Sequence, residues 1–212
     1  MSVLVVTDVD STLIRDEVIE LLARAVGPDA ERHVAAVTER AMRGELDFAA
    51  SLAERLRILE GLPSSVVDDA RAAVTVTDGV PELVAAVHAL GGTVAAVSGG
   101  FHEVLDPLAA ELGIDHARAN RLEVVDGRLT GRSVGPVIDG AAKRDTLESL
   151  RLNLGIPRER IMAVGDGAND LLMMEVAGIS VAFCAKPLVR ERATHVVDVP
   201  DFRELIPLLP AA

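Results

Sequence analysis

The stretch VLVVTDVDSTL, residues 3–13, decides the fold. Four apolar, mostly β-branched residues run straight into Asp8, and Asp10 follows one valine later. Continuous rather than alternating hydrophobicity predicts a strand buried on both faces, as in a parallel sheet covered by helices. In open α/β sheets, ligands bind beyond the carboxyl ends of the strands, where Asp8 falls. Two acids this close repel each other, so something positive is expected among them.

Outward from this strand the pattern turns helical. Val18, Ile19, Leu21, Leu22 and Val26 form an apolar stripe that Gly27-Pro28 ends. From Asp29 to about Val76 the period stays helical with no good strand, which predicts a small helical insertion. A helix with Pro81 in its first turn then leads to a second buried strand, TVAAVSGG, expected to end at Ser98. The segment FHEVLDPLAAELG is helical, with Pro107 as a possible break. Alternation around Asp126-Gly127 predicts a hairpin. A helix (AAKRDTLESLRLNLG), a third buried strand (RIMAVGDG), a helix (NDLLMMEVAG) and two short strands (ISVAFC, THVVDV) follow. Strands alternating with helices predict right-handed βαβ units. The expected fold is α/β, a doubly wound parallel sheet, with residues 1–13 and 77–212 as core and 14–76 as a helical insertion after the first strand.

Composition excludes several functions. The chain has 212 residues, 50% of them hydrophobic, enough for one domain with a large core. A net charge of −12 argues against a nucleic-acid surface, and the absence of Trp and Tyr removes the usual stacking platforms. Cys184 stands alone, so no intramolecular disulfide forms. No apolar run is long enough for a membrane helix, and the first residues lack the basic start of a signal peptide. A cytoplasmic protein is expected, monomer or homodimer.

Three predicted strand ends carry polar chemistry: Asp8 with Asp10, Ser98 with Gly99-Gly100, and Asp166 with Asn169 and Asp170. Hard carboxylate oxygens without His or Cys partners select Mg²⁺ or Ca²⁺ over zinc. Taken singly, each aspartate reads equally as a helix cap or turn residue, and their common edge argues for a site. Ser98-Gly99-Gly100 between strand and helix offers backbone N–H groups to an anion. Lys143, in the first turn of its helix, is unfavourable to the dipole there but would be a charge partner beside a phosphate.

Taken together, DVDST, SGG, the lysine and GDGAND resemble the haloacid dehalogenase-like phosphatases over nearly the whole chain. DSTLIRDEVIELLA and the helical AMRGELDFAASLAERL are similar to the branch that acts on phosphoserine. This resemblance implies a Mg²⁺-dependent phosphomonoesterase working through an aspartyl-phosphate, in the last step of serine biosynthesis. It implies Asp8 as nucleophile and Asp10 as general acid/base. The metal would be held by Asp8, the Asp10 carbonyl and Asp166, with Asp170 orienting bound water. Ser98, Gly99, Lys143 and Asn169 would hold the phosphoryl group. The insertion would be a cap, with Glu17 facing the substrate ammonium, Arg55 its carboxylate, and Met42 and Phe48 forming an apolar wall. A regulatory amino-acid-binding domain ahead of the catalytic part, and allosteric serine control through one, are not expected. Alternatives are a related small-molecule phosphatase, phosphoryl transfer to homoserine, and a phospho-receiver signalling module. Asp10 and the cap weigh against the receiver, because an acid/base there would hydrolyse the phosphorylated state.

Overall fold

The computed structural model describes residues 2–43 and 45–210. The first strand, β1 (Leu4–Thr7), is buried at every position, as its unbroken apolar run requires. Alternation along it feeds two layers, Val3 and Val5 on one side and Leu4 and Val6 on the other. Past Asp8 the chain makes a wide turn, closed by the Ile14 N–H donating to the Val9 carbonyl at 3.0 Å.

Four helices come before the next strand: α1 (Val18–Arg24), α2 (Pro28–Met42), α3 (Phe48–Arg57) and α4 (Val66–Ala73). Gly27-Pro28 lies past the end of α1 and also opens α2, with Gly27 at φ 138° and proline at the first helical position. Asp47 caps α3, accepting from the Ala50 N–H at 2.8 Å. The two ends of this excursion pair with each other: Arg15 N–H donates to the Thr75 carbonyl at 2.9 Å and Thr77 N–H to the Leu13 carbonyl at 3.0 Å.

Helix α5 (Val80–Ala89) leads into β2 (Thr93–Phe101). This strand does not stop at Ser98: it continues extended through both glycines to Phe101, shifting register against its neighbour on the way. Then α6 (His102–Leu112) runs through Pro107 unbroken. The hairpin of β3 (His116–Val125) and β4 (Arg128–Val134) turns at Asp126 and Gly127, with φ of 49° and 72°. Both central residues at positive φ are what Asp-Gly favours in a two-residue turn. The remaining elements are α7 (Gly140–Leu154), β5 (Ile161–Gly165), α8 (Leu171–Val176), β6 (Ile179–Phe183), α9 (Pro187–Arg190) and β7 (His195–Val197). A 3₁₀ segment, Phe202–Leu208, follows them.

The strands form one sheet in the order β4-β3-β2-β1-β5-β6-β7, parallel except for β4. Leu147, Met173 and Val189 of α7, α8 and α9 pack on one face; Leu83 and Val104 of α5 and α6 pack on the other, joined by Leu22, Leu52 and Leu56 from the inserted helices. Because the order reverses at β1, its neighbours are β2 and β5, and Thr7 stands opposite both Ala96 and Val164. The carboxyl ends of these three strands therefore lie side by side. The loop after α3 is tied to the hairpin: Gly61 N–H donates to the Leu129 carbonyl and Ser64 N–H to the Gly127 carbonyl, each at 2.9 Å.

Candidate active site

Asp8 leaves β1 with its N–H still bonded to the Val164 carbonyl at 2.9 Å, so its position is set by the sheet. The Lys143 ammonium is fully buried and donates to Asp8 Oδ1 at 2.5 Å and Asp170 Oδ1 at 2.7 Å. The other Asp170 oxygen accepts the N–H groups of Asp166 at 3.2 Å and Gly167 at 3.1 Å. This packing needs Gly165, since a Cβ there would fall 2.4 Å from the Asp170 carboxyl carbon. Carboxylate oxygens of Asp8, Asp166 and Asp170 all lie within 4.8 Å of one another, and all three residues are buried.

Three acids crowd around one buried cation that bonds two of them, and the protonation of Asp8 and Asp166 reflects it. Burial, with the Asp170 charge behind it, pushes Asp8 up to about 7 despite Lys143. Burial and the Asp8 charge hold Asp166 well above the usual carboxylate range. Burial by itself would lower Lys143, but Asp170 and Asp8 outweigh it and keep the ammonium charged. An all-oxygen cluster with this excess of negative charge fits a hard divalent cation.

Asp10 turns away from this cluster. Its Oδ1 accepts the Val18 N–H at 2.9 Å and its Oδ2 the Ser98 hydroxyl at 3.1 Å. Burial raises its pKa, and these two bonds oppose the rise. The Ser98 Oγ also accepts the Gly100 N–H at 2.7 Å, which folds the glycine peptides around it. Both glycines are needed sterically: a Cβ on Gly100 would lie 2.5 Å from Asp10 Oδ2, and one on Gly99 2.5 Å from the Phe48 ring.

A partly open cavity lies above Asp8 and Asp10. Glu17, Phe48, Arg55, Gly99 and Asn169 line it, so these predicted residues meet in one place. The Met42 side chain lies outside the described residues. Glu17, at the start of α1, accepts the Ser11 hydroxyl at 2.6 Å. Burial first and Asp10 second hold its carboxyl well above the ordinary range. Arg55 is only 5% exposed; its Nε donates to the Ser51 carbonyl at 3.1 Å and its Nη1 to the Thr38 hydroxyl at 3.0 Å.

Two residues here escaped the sequence reading. Asn120, on β3, is buried and links β2 to the segment before α7, its Nδ2 donating to the Gly99 carbonyl at 2.8 Å and its Oδ1 accepting the Ile138 N–H at 2.9 Å. That bridge keeps the end of β2 extended, which is why the strand passes Ser98. Thr38 is the other, a hydroxyl on the apolar stripe of α2 beside Val34 and Ala41. A polar residue on a buried face was the available signal.

Residues 5–175 match the haloacid dehalogenase-like hydrolase family. The chain is 52% identical to the phosphoserine phosphatase of Streptomyces coelicolor over 97% of its own length, but spans about half of that longer protein. It is 47% identical to the phosphoserine phosphatase of Streptococcus thermophilus, covering 97% of this chain and 95% of that one. Among solved structures it superimposes on a phospho-aspartyl intermediate analogue of phosphoserine phosphatase with TM-score 0.95 and 40% identity, covering 99% of both chains. A substrate-bound phosphoserine phosphatase complex matches with TM-score 0.95 at 39% identity, again covering 99% of both. The chain belongs to the haloacid dehalogenase-like hydrolases, in their phosphoserine phosphatase branch.

Proposed function

We propose that this protein hydrolyses O-phospho-L-serine to serine and phosphate through a phosphorylated Asp8, with Mg²⁺ as its metal. The observation that carries the reading is one cavity with Asp8 and Asp10 at its floor and Glu17 and Arg55 on its walls. Relatives of the same length bear the same activity in their names.

Asp8 is the nucleophile: it sits at the rigid end of β1, and moving the phosphoryl group onto its carboxylate as serine leaves, then onto water, splits one hydrolysis into two easier substitutions. Asp10 donates a proton to the departing serine oxygen and later takes one from the attacking water. A carboxyl with a raised pKa suits a role that reverses between the steps. Lys143 stabilises the ionised Asp8 and offsets phosphoryl charge. Ser98, Gly99 and Asn169 hold the phosphoryl oxygens. Asp8, Asp166 and the Asp10 carbonyl would hold Mg²⁺, with Asp170 behind them. When bound, the ion supplies charge neutralisation for the phosphoryl oxygens.

Residues 14–76 act as the cap that selects the substrate. Glu17 pairs with the ammonium and Arg55 with the carboxylate, where a guanidinium holds two oxygens in parallel. Phe48, against Gly99, closes the cavity from above. The test is phosphate release from O-phospho-L-serine with Mg²⁺ and with a chelator, beside phosphothreonine, an aryl phosphate and a tube containing homoserine. Mg²⁺-dependent release favouring phosphoserine is expected. Phosphohomoserine in place of phosphate would make the protein a transferase, and aryl phosphate turnover without phosphoserine turnover would overturn the substrate.

A further inference from the structure

Thr38 lies on α2, is 3% exposed and lines the same cavity as Arg55 and Glu17. Its hydroxyl oxygen accepts from Arg55 Nη1 at 3.0 Å. A hydroxyl has one proton to give as well as lone pairs to accept with. Among the described residues, no acceptor takes that proton. A guanidinium on its oxygen also polarises the O–H toward stronger donation. Arg55 is meanwhile oriented from two sides, by Thr38 on α2 and by the Ser51 carbonyl one turn back on α3.

We propose that Thr38 is a specificity-determining residue: it orients the Arg55 guanidinium and donates its own hydroxyl proton to the substrate carboxylate. The carboxylate site is then a two-part device built across α2 and α3, and it forms only when those helices are packed together. This rests on the substrate reading above, in which Arg55 meets a carboxylate. Valine keeps the shape of threonine and removes both functions; serine keeps both and trims only a methyl group.

The experiment compares O-phospho-L-serine with O-phosphoethanolamine, which has the same phosphate and ammonium but no carboxylate. Wild type, Thr38→Val, Thr38→Ser and Arg55→Ala are assayed for kcat and KM on both. For Thr38→Val, the preference for phosphoserine is expected to fall by about tenfold, chiefly through KM, the scale of a hydrogen bond to a charged group. Thr38→Ser should restore most of it. Equal losses on both substrates would reduce Thr38 to a packing residue and overturn the proposal. If Arg55→Ala collapses the preference and Thr38→Val leaves it intact, the Thr38 assignment alone fails. If neither variant alters it, the carboxylate site itself is misplaced and the parent reading fails with it.

Discussion

Replacing Lys143 by methionine removes the buried cation and keeps most of its volume. The ammonium bonds Asp8 at 2.5 Å and Asp170 at 2.7 Å with no solvent exposure, and Asp166 completes the acid cluster. Breaking a buried ion pair from one side costs about 3–5 kcal/mol, because the partner charge is left uncompensated. That cost depends on pH in a definite direction. Asp8 already binds its proton far more tightly in the folded state, with a pKa of about 7 against an ordinary 3.8, so folding takes up a proton between these values. Below about pH 4 both states are protonated and Asp8 imposes no charge penalty. As pH rises to 7 the penalty grows to roughly 4 kcal/mol, and above 7 it is constant. Without Lys143 the folded pKa rises further, so the window extends upward and the variant loses most at alkaline pH. The assay is urea unfolding of both proteins, metal-free at pH 5.5 and 8 and again at pH 8 with saturating Mg²⁺. The gap between them should be widest in chelator at pH 8, and smaller in acid or with the ion. A gap of the same size in all three conditions would refute the electrostatic reasoning and leave only lost packing.

Asp8→Asn should abolish turnover while the thermal transition is kept or raised, since it removes a destabilising buried charge; a phosphate-release assay and a melting curve check both halves. Asp10→Asn should slow turnover by at least about 10²-fold, the usual share of general acid–base catalysis, and single-turnover kinetics should show both half-reactions affected. Gly99→Ala should raise KM for phosphoserine, because its Cβ would meet the Phe48 ring at 2.5 Å and push the wall outward; steady-state kinetics tests this. Asn120→Ala should destabilise the protein by about 1–3 kcal/mol, leaving the buried Ile138 N–H without its acceptor. A denaturant midpoint unchanged from wild type would count against that bridge.

Most of the sheet was legible because its strands are unbroken apolar runs, and an acid at the end of such a run is rare unless it serves a site. The hairpin was legible because Asp126-Gly127 suits a turn with two positive φ angles. Where β2 ends was not legible: two glycines read as a turn, and the residue that straightens them, Asn120, is some twenty positions away in sequence. The position of Lys143 pointed to a charge partner, but its division between Asp8 and Asp170 required the three-dimensional packing. Ser98 pointed to an anion site, while its hydrogen bond to Asp10, 88 positions away, was visible only in the folded chain. Thr38 stayed hidden because its partner is on another helix, and a single hydroxyl on an apolar stripe looks like tolerated polarity.

The inserted helices are fastened unevenly. The corner between α3 and α4 shares backbone hydrogen bonds with the hairpin at Gly61 and Ser64, and the neck at residues 13–15 and 75–77 is laced in the same way. Helix α2 reaches the far side of the sheet through Lys186, whose ammonium donates to Glu39 at 2.8 Å while its own N–H holds the Asp166 carbonyl at 3.0 Å. Both side chains of that pair are about a third or more exposed, so the tie is worth no more than about 1 kcal/mol. The insertion is therefore held like a door with two bolted hinges and one light catch. The catch is mounted on the segment between β6 and α9, whose backbone also holds Asp166, so a displacement of α2 would be felt at the acid cluster through a single residue.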